Sequence, residues 1–271
     1  MSFDLHKGNG VTIIKGLGLS RDCRFIFDPP YGNGKYETDK ELPMDFYRWL
    51  IDSFQTVAFF GYPEKLVSIC VRIQAIPIEW ITWHPSNKAA GRSNDYLPKE
   101  VECIAIFGDM PNPSEIMRPR SKDSYSRKLA VQRGLSPFVA RLGDVWNDPS
   151  PGTSANRHLR QHPNEKPVSL MTKLVTLCSN EGDTIVDPTM GSGTTGEASL
   201  LLGRSFIGCE SVSEHFETAS KRVQSAALSP SFYTLPNNRL HLTGGGLPAT
   251  QSSFTAEVIP PAKLPAKSPR R

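Results

Sequence analysis

No stretch of the 271 residues is apolar for long enough to read as a membrane span, and the start, MSFDLHKGNG, lacks the apolar core of a signal peptide. Cysteine is sparse. Cys23, Cys70, Cys103, Cys178 and Cys209 stand far apart with no C-x-x-C pair, which argues against a zinc site and against a disulfide framework. The chain also lacks a charge surplus over most of its length. It holds 31 basic and 27 acidic residues, and the tail from Ala227 onward takes five of the former and one of the latter, leaving 26 of each sign in the rest. With 38% hydrophobic and 21% charged residues the composition is that of an ordinary globular protein, although 23 prolines are many. These readings predict a cytoplasmic domain of enzyme size.

Within the neutral body, residues 109–162 hold nine basic side chains, among them Arg118, Arg120, Lys122, Arg127, Lys128 and Arg133, against five acidic ones. Such a block suits phosphate contacts, and it equally suits a solvated loop region. The tail, rich in Pro, Ser, Gly and Ala, reads as disordered from 227 to 271.

The pattern elsewhere alternates strands and helices. Strands are expected at Val11–Lys15, Arg24–Asp28, Thr56–Phe60, Ile76–Trp83, Val101–Phe107, Thr184–Asp187 and Ser205–Glu210. Helices are expected over MDFYRWLIDSF after Pro43, at Glu64–Ile73, Lys166–Cys178, Thr194–Leu202 and Ser213–Ala226. Gly32–Leu42 reads as a mobile loop. This alternation predicts an α/β domain with a mostly parallel sheet, whose ligands bind beyond the carboxyl ends of the strands.

Two strand ends carry chemistry. In FIFDPPYGNG an apolar strand delivers Asp28 and stops at Pro29-Pro30, with Tyr31 next. In VDPTMGSGTTGEASLL a strand ends in Asp187. Gly191 and Gly193 then let the backbone approach a ligand, and a helix begins near Thr194. No lysine follows the last glycine, so a nucleotide P-loop fits poorly. Glu210 ends the next strand roughly 20 residues on, where an acid meets ribose hydroxyls. That element suggests an adenosine-bearing cofactor without separating its kinds.

Asp28-Pro29-Pro30-Tyr31 resembles the catalytic motif of S-adenosylmethionine-dependent DNA amino methyltransferases, which act on adenine N6 or cytosine N4. Asp187-Pro188-Thr189-Met190-Gly191-Ser192-Gly193-Thr194-Thr195 resembles their cofactor loop. HPNEKP (His162–Pro167), VECIAIFG (Val101–Gly108) and GRSFIGCE (Gly203–Glu210) match further family segments. The resemblance covers residues 11–226. The catalytic motif precedes the cofactor loop, and this circularly permuted order is similar to that of the family's β group.

The resemblance implies a Rossmann-like methyltransferase fold with a mostly parallel seven-stranded sheet. It implies a methyltransferase domain over 1–226, with residues 109–160 as a target-recognition segment supplying Arg118, Arg120, Lys122, Arg127, Lys128 and Arg133 to DNA. It implies S-adenosylmethionine as cofactor, held by Asp187, Pro188, Gly191, Ser192, Gly193, Thr194 and Glu210, with Lys166 and Pro167 near the methionine carboxylate. Catalysis would rest on Asp28 and the Pro29 carbonyl as acceptors for the target amine, with Pro30 stiffening the backbone and Tyr31 as a platform for a flipped base.

Asp at the first motif position leans toward adenine. Cytosine-N4 methylation, an RNA substrate and a catalytically silent DNA-binding subunit are the alternatives. No Pro-Cys occurs, as a 5-methylcytosine enzyme would require. Double-stranded DNA is the implied partner. A homodimer, a cognate restriction endonuclease and association with a nucleoid remain open. Two departures stand out. Thr189 replaces a usual Phe, and the usual Gly-Asp before the catalytic strand is not recognisable, with Gly16 and Asp22 as the candidates in IIKGLGLSRDC.

Overall fold

The computed structural model describes residues 1–32, 40–85, 100–119, 124–135, 139–151, 164–228 and 240–241. Of these, 117–119, 124–126, 139–140 and 240–241 are described by their backbone alone. The elements in chain order are β1 (Phe3–Lys7), α1 (Gly10–Gly16), β2 (Arg24–Phe27), α2 (Met44–Ser53), β3 (Thr56–Gly61), α3 (Pro63–Ile73), β4 (Glu79–Trp83) and β5 (Glu102–Gly108). They continue with β6 (Ile116–Pro119), α4 (Ser124–Gln132), β7 (Val139–Arg141), β8 (Val145–Trp146), α5 (Val168–Cys178) and β9 (Thr184–Asp187). The last are α6 (Thr194–Leu201), β10 (Ser205–Glu210), α7 (Ser213–Leu228) and β11 (Leu240–His241).

Among the described residues, eight strands form one open sheet in the order β1-β10-β9-β2-β3-β5-β4-β8. Its pairs are parallel except β3 with β5 and β5 with β4. The sheet is buried on both faces, so its central strands are continuously apolar rather than alternating. Phe25, Phe27, Val57 and Phe59 point to one side, where α1, α2 and α3 contribute Ile14, Phe46, Leu50, Leu66 and Ile69. Ile26, Ala58, Phe60 and Ile185 point to the other, against Leu170, Leu174, Ala198 and Val223 of α5, α6 and α7.

Arg24 is buried where β2 starts. It donates from Nε to Asp183 at 2.7 Å, from Nη1 to Thr56 Oγ1 at 2.6 Å and from Nη2 to Gln55 at 3.2 Å, so each nitrogen of the buried guanidinium has a partner. This ties down the edge of the sheet opposite Asp28.

Three expectations are corrected. Val11–Lys15 lies in helix α1, not in a strand. The β-branched run favours a strand locally, but the Asn9 side chain accepts from Thr12 N at 3.0 Å and caps a helix that buries Ile14. The strand of this region is Phe3–Lys7, paired in parallel with β10. The sheet has eight strands rather than seven, because the two-residue β8 adds to the β4 edge. Residues 109–151 are also more regular than their sequence suggests, with β6 and β7 antiparallel and α4 between them. Of the tail, Ala227 and Leu228 continue α7 and Leu240–His241 pairs with Ile116–Met117, against the expected disorder, and the rest of that expectation lies outside the described residues.

All five cysteines are free thiols. No helix among the described residues is long and apolar enough to cross a membrane.

Candidate active site

The chain runs from β2 toward β3 on one side of the sheet and from β9 toward β10 on the other. Adjacent β2 and β9 therefore form the topological switch point, where α/β sheets open a crevice at their carboxyl ends. The register sets Phe25 beside Val186. Asp28 and Asp187, remote in sequence, thus emerge at neighbouring strand ends. Thr189 closes the gap, its Oγ1 donating to the Asp28 carbonyl at 3.0 Å. The residue that departs from the family pattern is thus a hydrogen-bonded link between the two loops.

Beyond β2, prolines 29 and 30 offer no N–H to a neighbouring strand and end the pairing. The Asp28 side chain is 21% exposed. Tyr31 Oη donates to its Oδ1 at 2.6 Å and reaches Glu102 Oε2 at 3.3 Å. Lys166 Nζ lies 2.5 Å from Asp28 Oδ2 and 3.1 Å from Glu102 Oε2, with its side chain only 6% exposed. Burial raises the Asp28 pKa, Lys166 opposes the rise and Glu102 adds to it. Tyr31 is held well above the ordinary phenol by burial and by the same two carboxylates. Its ring meets Tyr62 at a centroid distance of 5.3 Å. Beside it opens a cavity of about 330 Å³ lined by Tyr31, Gly32, Glu41, Tyr62, Glu64, Lys65 and Ser68.

The glycine loop is built as its sequence implies. Gly191 and Gly193 have φ of 51° and 79°, in the left-handed region, and Gly193 caps α6. Asp187 is 2% exposed. Its oxygens accept from Thr189 N at 2.9 Å and Thr195 Oγ1 at 2.7 Å. Burial pushes its pKa up to about 7 against both hydrogen bonds. Glu210 accepts from Gly191 N at 3.0 Å and Val212 N at 2.8 Å, so its carboxylate holds the loop as well as facing it. Pro188, Ser192 and Thr194 are buried around this turn, and Pro167 caps α5.

The other predicted residues divide. Lys166 is engaged by the Asp28 cluster. Arg127, Lys128 and Arg133 fall on or just after α4, with Lys128 and Arg133 exposed. The Arg118 side chain, Arg120 and Lys122 lie outside the described residues, as does most of the loop after Gly32. Trp83 is core and donates to the Asp148 carbonyl at 2.8 Å, while Trp80 is half-buried.

Gly16 and Asp22 are not at the site. Gly16 ends α1, and Asp22 precedes β2 at the opposite sheet edge, where it accepts from Gln55. The segment that does reach the site is Gly8-Asn9-Gly10. Gly8 N donates to the Glu210 carbonyl at 2.9 Å, and Gly10 lies against the backbone of Pro188. The G-N-G turn with its capping asparagine was the available signal. Glu102 and Tyr62 were also missed.

The family model for N6 and N4 methyltransferases, described as DNA methylase, matches residues 24–221. The Type II methyltransferase M.HpaI of Haemophilus parainfluenzae is 29% identical over 236 residues, covering 80% of this chain and 73% of its own. M1.HpyAVI, solved as a complex with SAM, aligns at a TM-score of 0.56 and 21% identity over 82% of this chain and 98% of its own. The cytosine-N4-specific PvuII DNA methyltransferase aligns at 0.53 and 14% identity over 82% and 86%. At these identities the two structures speak for the fold alone.

Proposed function

The chain belongs to the N6/N4 DNA methylase family, and on that premise we propose that it transfers a methyl group from S-adenosylmethionine to the exocyclic N6 of adenine in duplex DNA. The observation that carries the reading is the largely buried carboxylate of Asp28 at the switch point, in a residue whose backbone carbonyl is bonded to the glycine loop and whose partner Tyr31 lines a cavity together with Tyr62. An exocyclic amine is a weak nucleophile because its lone pair is delocalised into the ring. Asp28 and the Pro29 carbonyl accept its two N–H groups and turn that lone pair outward, while the aromatic pair takes the base face. Positioning and electrostatics supply the catalysis, with no covalent intermediate.

The donor set fits the cofactor. Asp187 is a poorly solvated carboxylate that a cationic methionine end would discharge, Glu210 stands at the ribose position, and Gly191 and Gly193 allow close approach. The cofactor supplies an electrophilic methyl on a sulfonium. Residues 109–160 are assigned as the target-recognition segment, with Arg127, Lys128 and Arg133 as DNA contacts of α4. Guanine edges and phosphates are the groups that arginine reads and lysine binds.

Adenine is favoured over cytosine by aspartate, rather than serine, at position 28. Digestion of methylated DNA to nucleosides followed by mass spectrometry decides it. N6-methyladenine is expected, and N4-methylcytosine alone would overturn the adenine assignment.

The Asp187 environment gives a second test. Its raised pKa keeps the carboxyl largely neutral below about pH 7 in the free protein. A cationic ligand favours the ionised form, so binding at pH 6.5 should expel on the order of half a proton from this group. Calorimetry in buffers of different ionisation enthalpy measures that release, and Asp187→Asn should diminish it.

A further inference from the structure

We propose that Lys166 is the counter-charge that keeps Asp28 in its ionised, hydrogen-bond-accepting form against the like charge of Glu102, so that Lys166 is a positioning residue for methyl transfer and not a ligand of the methionine carboxylate. This rests on the reading of Asp28 above and extends it to two residues outside the catalytic motif.

The Lys166 ammonium is enclosed. Asp28 Oδ2 and Glu102 Oε2 take two of its directions at 2.5 and 3.1 Å, and the rings of Phe60 and Trp83 lie 5.1 and 5.8 Å away. Two carboxylates and two aromatic faces suit a compact ammonium with rotatable donors. The chain aims it inward by alternation. Glu165 turns to Arg222 of α7 at 2.6 Å, Lys166 turns to the cluster, and Pro167 caps α5. Burial disfavours the Lys166 ammonium, yet Asp28 and Glu102 outweigh it and hold its pKa above the ordinary lysine value.

Among the described residues, the groups around Asp28 come from five places. They are Tyr31 of its own loop, Lys166 ahead of α5, Glu102 of β5, Asp187 at the end of β9, and Tyr47 of α2. Lys166 is the only cation among them. Without it, Asp28 and Glu102, both within reach of Tyr31 Oη, become like charges in a largely buried pocket, and such pairs share a proton. A protonated Asp28 donates a hydrogen bond where the target amine needs an acceptor. With Lys166 present the three groups carry one net negative charge, which complements the single positive charge that passes from sulfur to nitrogen during transfer.

The test compares Lys166→Met, Glu102→Gln and the double variant with the wild type. For Lys166→Met, the acid limb of kcat against pH should move up by at least one unit, with KM for DNA and calorimetric affinity for S-adenosylmethionine within about threefold. The double variant should bring the limb back toward its wild-type position, because one repelling carboxylate is gone. Carboxyl carbon NMR of Asp28 in the unliganded proteins should show the same order of titration. That readout needs no turnover, so it separates this inference from the assigned activity. If Lys166→Met lowers cofactor affinity tenfold and leaves the acid limb in place, Lys166 is a cofactor ligand and the proposal falls. If thermal melting shows that Lys166→Met does not fold, Glu102→Gln alone decides. Its limb should move down, and an unmoved limb overturns the proposal.

Discussion

Asp28→Ala is expected to lower methyl transfer to DNA by at least about 10²- to 10³-fold, the range for losing one preorganised electrostatic partner. Affinity for S-adenosylmethionine should stay within about threefold of wild type. The split follows from position. Asp28 directly follows β2, whereas the groups assigned to the cofactor belong to β9, the turn after it and β10. The variant should also fold, because Lys166 keeps Glu102 at 3.1 Å and is not left as a lone buried charge. Thr189 keeps its backbone partner, since it bonds to the carbonyl of residue 28 and not to the side chain. Single-turnover transfer and calorimetry on one preparation measure both halves. Full activity would refute the role assigned to Asp28, and loss of both properties together would mean the two loops do not act separately.

Gly10→Ala should weaken cofactor binding by about tenfold although residue 10 lies outside both motifs. A Cβ there would stand 1.9 Å from the Pro188 carbonyl oxygen and 2.8 Å from its carbon. Those are backbone atoms and cannot rotate aside. Either α1 retreats or the Asp187-Pro188 turn is pushed, and overpacking of this kind costs about 1–3 kcal/mol. For a domain of this size the melting temperature should fall by roughly 2–4 °C per kcal/mol. Calorimetry and thermal melting together locate the yielding part. A lower melting temperature with full affinity would mean that α1 alone gives way. No change in either would refute the contact.

Much of the site was legible because chemistry and strand ends coincide in the sequence. Asp28 is marked by the prolines that stop its strand, Asp187 by the glycines after it, and Glu210 by its distance from them. Glu102 was hidden for a topological reason. A residue at the start of a strand usually lies away from the carboxyl edge of a parallel sheet. Here β5 runs antiparallel to β3, with Cys103 opposite Gly61, so its first residue sits at the edge where β3 ends and Tyr62 follows. Strand direction is set by pairing and is not written in the local pattern. The misreading of Val11–Lys15 has a local cause instead. Four β-branched residues in a row (Val11, Thr12, Ile13 and Ile14) outweighed an asparagine cap whose importance appears only when β1 docks beside β10. Lys166 was placed correctly at the head of α5, but its partner was not visible, because Asp28 and Glu102 converge on it from two strands.

The pairing of β9 with β2 on one side and with β10 on the other has a consequence for biosynthesis. β1 and β2 leave the ribosome well before β9 and β10, yet the neighbour of β1 is β10, and the crevice beside β2 needs β9. Closing contacts across some 160 to 200 residues is slow compared with forming local helices. The two aspartates therefore remain strangers until translation has passed Glu210. Each nascent chain carries its catalytic motif early and stays without a reaction centre until its last core strand arrives.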